Sequence, residues 1–421
     1  ATRVFADGSA ERLEYDGGGN LITRLGPSGE HASFEYGPFD CLTAVTGPDG
    51  ARAELGYDRM LRLTSVTRAG LTWRYEYDVA GRLVAEADYN GAVTRYEHDP
   101  AGQLTGQVNA VGQQIGYGYD ELGRLIRRVA DGVASSFGYD AAGRLVQARN
   151  PDAELRFTRD RLGRVTAETC NDRTVLSTYD LAGRRRRRVT PGGAQQRWDY
   201  DDAGQPVRLD AGGRLLGFGY DRAGRETRRD LPGGLTLAQE WDAAGLLERQ
   251  VLCGAPDSDL AGRTYSYRAD GCLDGIEDLL AGSRRFTLDA AGRITAVDGS
   301  RWAERYRYDP AGNVASARWT APPAAAGSRW LSADVQGPRD RSGTLTTSAG
   351  SVRYRHDEQG RVVRRQLPQD SGEPATWCYQ WDADDRLTAI TTPDGSIWRY
   401  RYDPLGRRIS KQGFGLSGDL A

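Results

Sequence analysis

At 421 residues the chain exceeds the roughly 250–300 at which one compact core stops growing, so either several domains or a repeat array is expected. Glycine, at 54 residues, has about twice its usual share of roughly 7% and is spread along the whole chain, which favours an array with evenly spaced turns. A formal charge of −2 excludes a net pull toward nucleic acid or an anionic membrane, and no run of about 18 apolar residues is present to span a bilayer.

The chain starts at Ala1 in mid-pattern and its single methionine is Met60, so an excerpt of a longer protein is expected. From Tyr15 onward a Tyr-Asp-x-x-Gly motif recurs at Tyr15, Tyr77, Tyr119, Tyr139, Tyr179, Tyr200, Tyr220, Tyr308 and Tyr402. Relaxed copies begin at Tyr36, Tyr57, His98, Arg159, Trp241, Tyr267, Leu288, His356 and Trp381. Up to Trp241 the step is 20 or 21 residues.

One unit can be read from residues 71–99. Trp73 to Tyr77 alternates aromatic with charged residues, the period of a strand with one wet face. Asp78 and Gly81 then occupy the first and fourth positions of a type I turn, Leu83–Ala87 returns as a second strand, and Asn90-Gly91 makes a hairpin turn into the next unit. Pro100, Pro310 and Pro404 each follow the motif aspartate, where proline's fixed φ suits the turn. The residues expected to carry the repeat are Tyr77, Asp78, Gly81 and Arg82; Tyr119, Asp120, Gly123 and Arg124; Tyr139, Asp140, Gly143 and Arg144; Tyr220, Asp221, Gly224 and Arg225; and Tyr402, Asp403, Gly406 and Arg407.

Regular repeats are expected over 1–313 and again over 352–421. Between them, 314–351 reads as a degenerate repeat or inserted loop around Ala321-Pro322-Pro323. Two strands per unit imply on the order of 36 strands, far beyond the roughly 10 of an ordinary open sheet, so the expected fold is all-β hairpins wound into a large spiralling sheet or hollow shell. A β-propeller, the rival, repeats every 40–45 residues.

Tyr-Asp-x-x-Gly-Arg at this spacing resembles the YD repeat of bacterial Rhs proteins, with related repeats in Tc-toxin C components and teneurins. The resemblance implies a hollow shell that encloses a C-terminal toxin and helps deliver it, in a protein exported from bacteria by an unstated route. Its implied partners are the N- and C-terminal remainder of the same protein, including the enclosed toxin domain, and a secretion-system component or chaperone. The alternative is an adhesion or carbohydrate-binding surface module built of the same repeats.

No catalytic, cofactor-binding or metal site is expected. Cys41, Cys170, Cys253, Cys272 and Cys378 are scattered without C-x-x-C, and His98 and His356 stand in the motif's aromatic slot. The family's self-cleavage region is similar to paired D-P-x-G motifs about one repeat apart. Here the copies at Asp99, Asp309 and Asp403 are not so spaced and read as ordinary turns. The run Arg184–Arg188 reads as a face offset by Asp180, Asp199 and Asp201, with a nucleic-acid contact or charge lining a cargo space as alternatives. Trp73, Trp198, Trp241, Trp302, Trp381 and Trp398 read as strand packing, with sugar binding as the alternative.

Overall fold

In a computed structural model the chain is described at residues 1–254, 258–320, 335–369 and 372–415. Among these residues it forms 39 strands, β1 (Thr2–Val4) to β39 (Arg408–Phe414), in one sheet where each strand pairs antiparallel with its neighbours in the chain. Alternating side chains and turn chemistry every ten residues produce this meander. In the unit read above, β8 (Leu71–Tyr77) pairs with β9 (Leu83–Ala87) through Arg74↔Ala87, Tyr75↔Glu86 and Glu76↔Ala85. A bulge between Glu76 and Tyr77 marks the entry to the turn. The following turn runs from Asp88, whose carbonyl accepts from the Gly91 N–H at 3.0 Å, to Ala92, so the loop around Asn90-Gly91 has the same form as the Tyr-Asp turn. Asp88 takes the role of the motif aspartate, and its carboxylate accepts the Asn90 and Ala92 N–H groups at 2.8 Å each.

The two faces differ systematically. Two residues before the motif tyrosine, one face carries a half-buried ring in most units, among them Phe34, Tyr75, Tyr96, Tyr117, Phe137, Phe157, Trp198 and Phe218. The residue just before the tyrosine faces the other way and is charged or small, as at Glu14, Glu76, Gly118 and Asp199. Among the described residues no second layer covers either face. The accessible surface is 25238 Å² for 46.1 kDa. A compact monomer of that mass exposes about 16,000 Å². Full shielding is confined to scattered residues such as Ala44, Ala148, Leu155 and Ala317.

The sheet instead packs on itself edgewise. All eighteen motif turns lie on one rim, after an even-numbered strand, and the intervening turns lie on the other. The turn between β3 (Leu21–Leu25) and β4 (His31–Tyr36) meets the one between β26 (Ser258–Tyr267) and β27 (Leu273–Asp278), where Arg268 pairs with Glu30 at 3.3 Å. Twenty-three strands separate those turns, and the same offset recurs turn by turn along the seam, with Gln113 also reaching the Trp381 carbonyl and Arg407 reaching Glu168 one hairpin to either side. Arg293 reaches Asp49 at 3.1 Å, and the Thr344 N–H donates to Asn90 Oδ1 at 2.8 Å. Arg361 Nη1 donates to Gln113 Oε1 at 3.0 Å, Arg128 pairs with Asp384, and Asn150 Nδ2 donates to the Tyr402 carbonyl at 2.9 Å. A constant offset joining opposite rims is the geometry of a spiral whose pitch equals the sheet's width.

Within 314–351, β31 (Val314–Trp319) completes the Tyr308 unit, and β32 (Gly337–Ser342) and β33 (Leu345–Ala349) form a motif-free hairpin with a short Gly343-Thr344 turn. That hairpin occupies one place in the spiral, because its turn meets Asn90 at the common offset. Ala321-Pro322-Pro323 lies outside the described residues.

Candidate functional site

The motif builds a clasp from each repeat to the next. Asp78 Oδ1 accepts the N–H groups of Ala80 and Arg82 at 2.9 Å each, which closes the turn, while Gly81 takes φ +84°, a left-handed conformation that costs other residues about 1–2 kcal/mol. Arg82 Nε donates to Asp78 Oδ2 at 2.6 Å, and its Nη1 extends to the Asp99 carbonyl of the following unit at 2.6 Å. In the opposite direction the Tyr77 hydroxyl donates to the Leu63 carbonyl of the preceding unit at 2.9 Å, and the Arg62 guanidinium lies 4.8 Å from the Tyr77 ring centroid. Each unit is thereby tied forward by its arginine and backward by its tyrosine.

The other predicted sets repeat the turn and the backward tie, and Arg124 and Arg225 repeat the forward tie as well, to the Asp140 and Asp242 carbonyls. Tyr119, Tyr139, Tyr220 and Tyr402 donate to the carbonyls of Leu104, Leu125, Pro206 and Leu387 at 2.7–2.8 Å. Arg124, Arg144, Arg225 and Arg407 each bind their own turn aspartate through Nε. Gly123, Gly143, Gly224 and Gly406 have φ between +76° and +82°. The Arg82 backbone N–H and then its guanidinium hold Asp78 below the ordinary carboxylate range against partial desolvation. At Asp120 the Arg124 side chain leads, and at Asp140 and Asp221 the backbone N–H groups of Arg144 and Arg225 do. These carboxylates direct their oxygens at turn N–H groups and guanidinia, so they brace the turn.

Two features were not read from the sequence. The first is that the aromatic slot is, in most units, a donor slot. Trp241 and Trp381 replace tyrosine but still donate through Nε1 to the Glu226 and Val362 carbonyls at 2.8 and 2.9 Å, and Arg159 donates to the Leu145 carbonyl at 3.1 Å. The polar tip shared by Tyr, Trp and Arg was the available signal. The second is the seam, which no local pattern encodes. It separates the predicted sets: those at Tyr77, Tyr119, Tyr139 and Tyr220 line the open rim, whereas Asp403, only 1% exposed, and Arg407, paired with Glu168, are locked into the contact between circuits. Among the described residues no group of three His, Cys, Asp or Glu side chains is arranged to hold a metal.

The arginine run divides between the two faces, but the bulge opposite Thr178 and Tyr179 interrupts the alternation, so that Arg185 and Arg188 share one face. Arg184 joins its clasp through Asp180, Arg186 pairs with Asp199 at 3.2 Å, and Arg187 donates to Gln195. Asp201 offers its carbonyl to Arg184, at 3.0 Å.

The sequence matches the RHS Repeat family at residues 57–88, 77–114, 98–134, 119–155, 139–175, 200–236 and 381–413. The chain is a tandem Rhs-repeat protein. It is 30% identical over 453 aligned positions to the probable deoxyribonuclease RhsA of Dickeya dadantii, covering 97% of this chain and 29% of that protein. The toxin protein Tse5 of Pseudomonas aeruginosa is 34% identical over 170 positions, covering 35% of this chain and 13% of that protein. Among solved structures, the TcdB2-TccC3 crystal structure superposes with a TM-score of 0.70 at 13% identity, over 99% of this chain and 28% of that one. That likeness is one of fold. The Rhs-repeat chain thus spans under a third of the length of these relatives.

Proposed function

We propose that this chain is a stretch of shell wall in an exported Rhs effector, enclosing a C-terminal toxin of the same protein and helping to deliver it, and that the repeats themselves carry out no catalysis. The observation that carries the reading is the seam at a constant offset of twenty-three strands, which turns a single-layered sheet into a continuous wall. Strands stand about 4.8 Å apart, so one circuit of that size encloses a bore of about 35 Å between backbones, wider in proportion to any strand tilt. Such a space admits a polypeptide. The toxin name of the Pseudomonas relative and the nuclease name of the Dickeya relative support a cargo-bearing protein, with the activity assigned to parts beyond these repeats.

The test is limited proteolysis of the full-length protein, with intact-mass analysis of the polypeptide that follows these repeats. The shell reading requires that segment to survive under conditions that digest it when it is expressed alone. Cleavage at equal rates in the two settings overturns enclosure.

A further inference from the structure

The repeats supply their own standard of comparison, and one unit departs from it twice on the same face. The slot paired with the motif tyrosine is aliphatic in most units, as in Tyr57↔Leu63, Tyr77↔Leu83, Tyr119↔Leu125 and Tyr139↔Leu145, but in the unit of β18 (Arg173–Tyr179) and β19 (Arg185–Val189) it is Arg185. The ring position of that unit is Ser177, which pairs with Arg188. Loss of a ring and gain of two guanidinia leave a recess of about 750 Å³, bordered also by Arg173 and by the apolar side chains of Val165 and Val175.

Elsewhere in this wall many arginines of the same face meet a carboxylate, as Arg128 and Arg229 do. Where the aliphatic slot is charged in other units, the charge has a partner: Glu226 pairs with Arg229 at 2.8 Å, and Arg408 lies 5.7 Å from the Tyr400 ring centroid. Arg173, Arg185 and Arg188 make no ion pair or side-chain hydrogen bond among the described residues. Glu168, the one carboxylate bordering the recess, is already engaged by Arg407 of the next circuit. Like charges gathered without counter-charge oppose folding, so their presence in the one described motif unit that both gives up its ring and puts a charge opposite its tyrosine marks a site built for a ligand rather than for packing.

We propose that this recess binds an acidic polypeptide segment, its carboxylates meeting Arg173, Arg185 and Arg188 and its apolar side chains resting on Val165 and Val175. Planar guanidinia suit carboxylates, and the mixed cationic and aliphatic lining suits a peptide better than a bare inorganic anion. The inference is independent of the shell reading, since it needs only this face of the sheet.

The experiment titrates fluorescein-labelled hexaglutamate into the 421-residue chain and follows anisotropy at low and moderate ionic strength. Saturable binding at one site is expected, weakening with salt and falling at least tenfold in the R185Q/R188Q double variant, with R185K/R188K, which keeps the charge but not the planar fork, intermediate between that variant and the parent. Ser177→Phe, which restores the ring and fills the recess while leaving the arginines, should also abolish binding. The charge-matched control R127Q/R208Q, on the opposite face, should bind as the parent does. The proposal is overturned if R185Q/R188Q binds like the parent, if the control loses affinity equally, or if inorganic pyrophosphate binds saturably at the recess while hexaglutamate does not.

Discussion

Arg361 sits where clasp and seam coincide, and its removal tests both at once. Its side chain is only 10% exposed, and its partner Asp357 13%. The guanidinium binds Asp357 at 2.8 Å, the Asp382 carbonyl and Asp385 at 2.9 Å each, and Gln113 of the adjoining circuit at 3.0 Å. Truncating one partner of a buried pair strands the other and costs about 3–5 kcal/mol, so Arg361→Ala should lower local stability by about that amount. Hydrogen–deuterium exchange reads this locally, which suits an array whose units need not unfold together. Protection should fall by about two to four orders of magnitude in β34 (Val352–His356) and β35 (Val362–Leu367). It should also fall across the seam, in the turn at Asn109–Gln113. Arg82→Ala, at a clasp without a seam partner, should loosen only neighbouring strands. Faster exchange confined to residues near 361, with residues 109–113 unchanged, would refute the seam; a loss under about 1 kcal/mol would refute the assigned burial of the pair.

Further outcomes follow from the same geometry. Leu61 holds the motif glycine's place at φ +60°, so Leu61→Gly should stabilise its hairpin by up to about 1 kcal/mol, seen as slower exchange in β6 (Arg52–Tyr57) and β7 (Leu63–Arg68); faster exchange would show that the leucine side chain contributes more than the strain costs. Tyr139→Phe removes the donor to the Leu125 carbonyl and should cost about 1 kcal/mol at that junction, whereas no measurable change would mean that water replaces the hydroxyl. Folded aspartates at Asp78, Asp120, Asp140 and Asp221 titrate below their ordinary value, and Asp278 falls from 3.8 to about 2, led by the Ala281 backbone N–H and the Arg263 side chain. Because the unfolded chain takes up those protons first, their stabilisation is present above about pH 4 and drains as pH falls toward 2. Denaturant midpoints measured from pH 6 to pH 2 should therefore stay level and then drop, and a decline already complete by pH 5 would point to other groups.

The hairpin repeat was legible because every level of the sequence agrees on it. Alternation marks the strands, Asp78 and Gly81 close the turn, and the 20–21 residue step sets the unit. The arginine of the motif was legible as a recurring letter but not as a tie to the next repeat, since its reach to the Asp99 carbonyl depends on how neighbouring turns stack. Contacts between circuits were beyond reach for a plainer reason. Gln113 and Arg361 are 248 residues apart, and their meeting depends on accumulated sheet curvature, to which each strand adds a small angle that no single side chain announces. The Arg184–Arg188 run was resolved only in part, because alternation predicts two faces but not which members lack a counter-charge.

The spiral measures distance in strands and ignores residues. Contacts before the motif-free hairpin join residues 238–244 apart, and those at that hairpin, at Arg361 and at Arg128 join residues 254, 248 and 256 apart, yet the partners remain twenty-three strands away. Extra length within a turn of the open rim is therefore silent to the rest of the wall. Loss of one hairpin is not, because every later turn would slide onto a neighbour's partner, leaving Arg361 opposite a turn built for another side chain. Such an architecture can lengthen its loops freely in evolution but must gain or lose hairpins against a penalty spread along the whole seam.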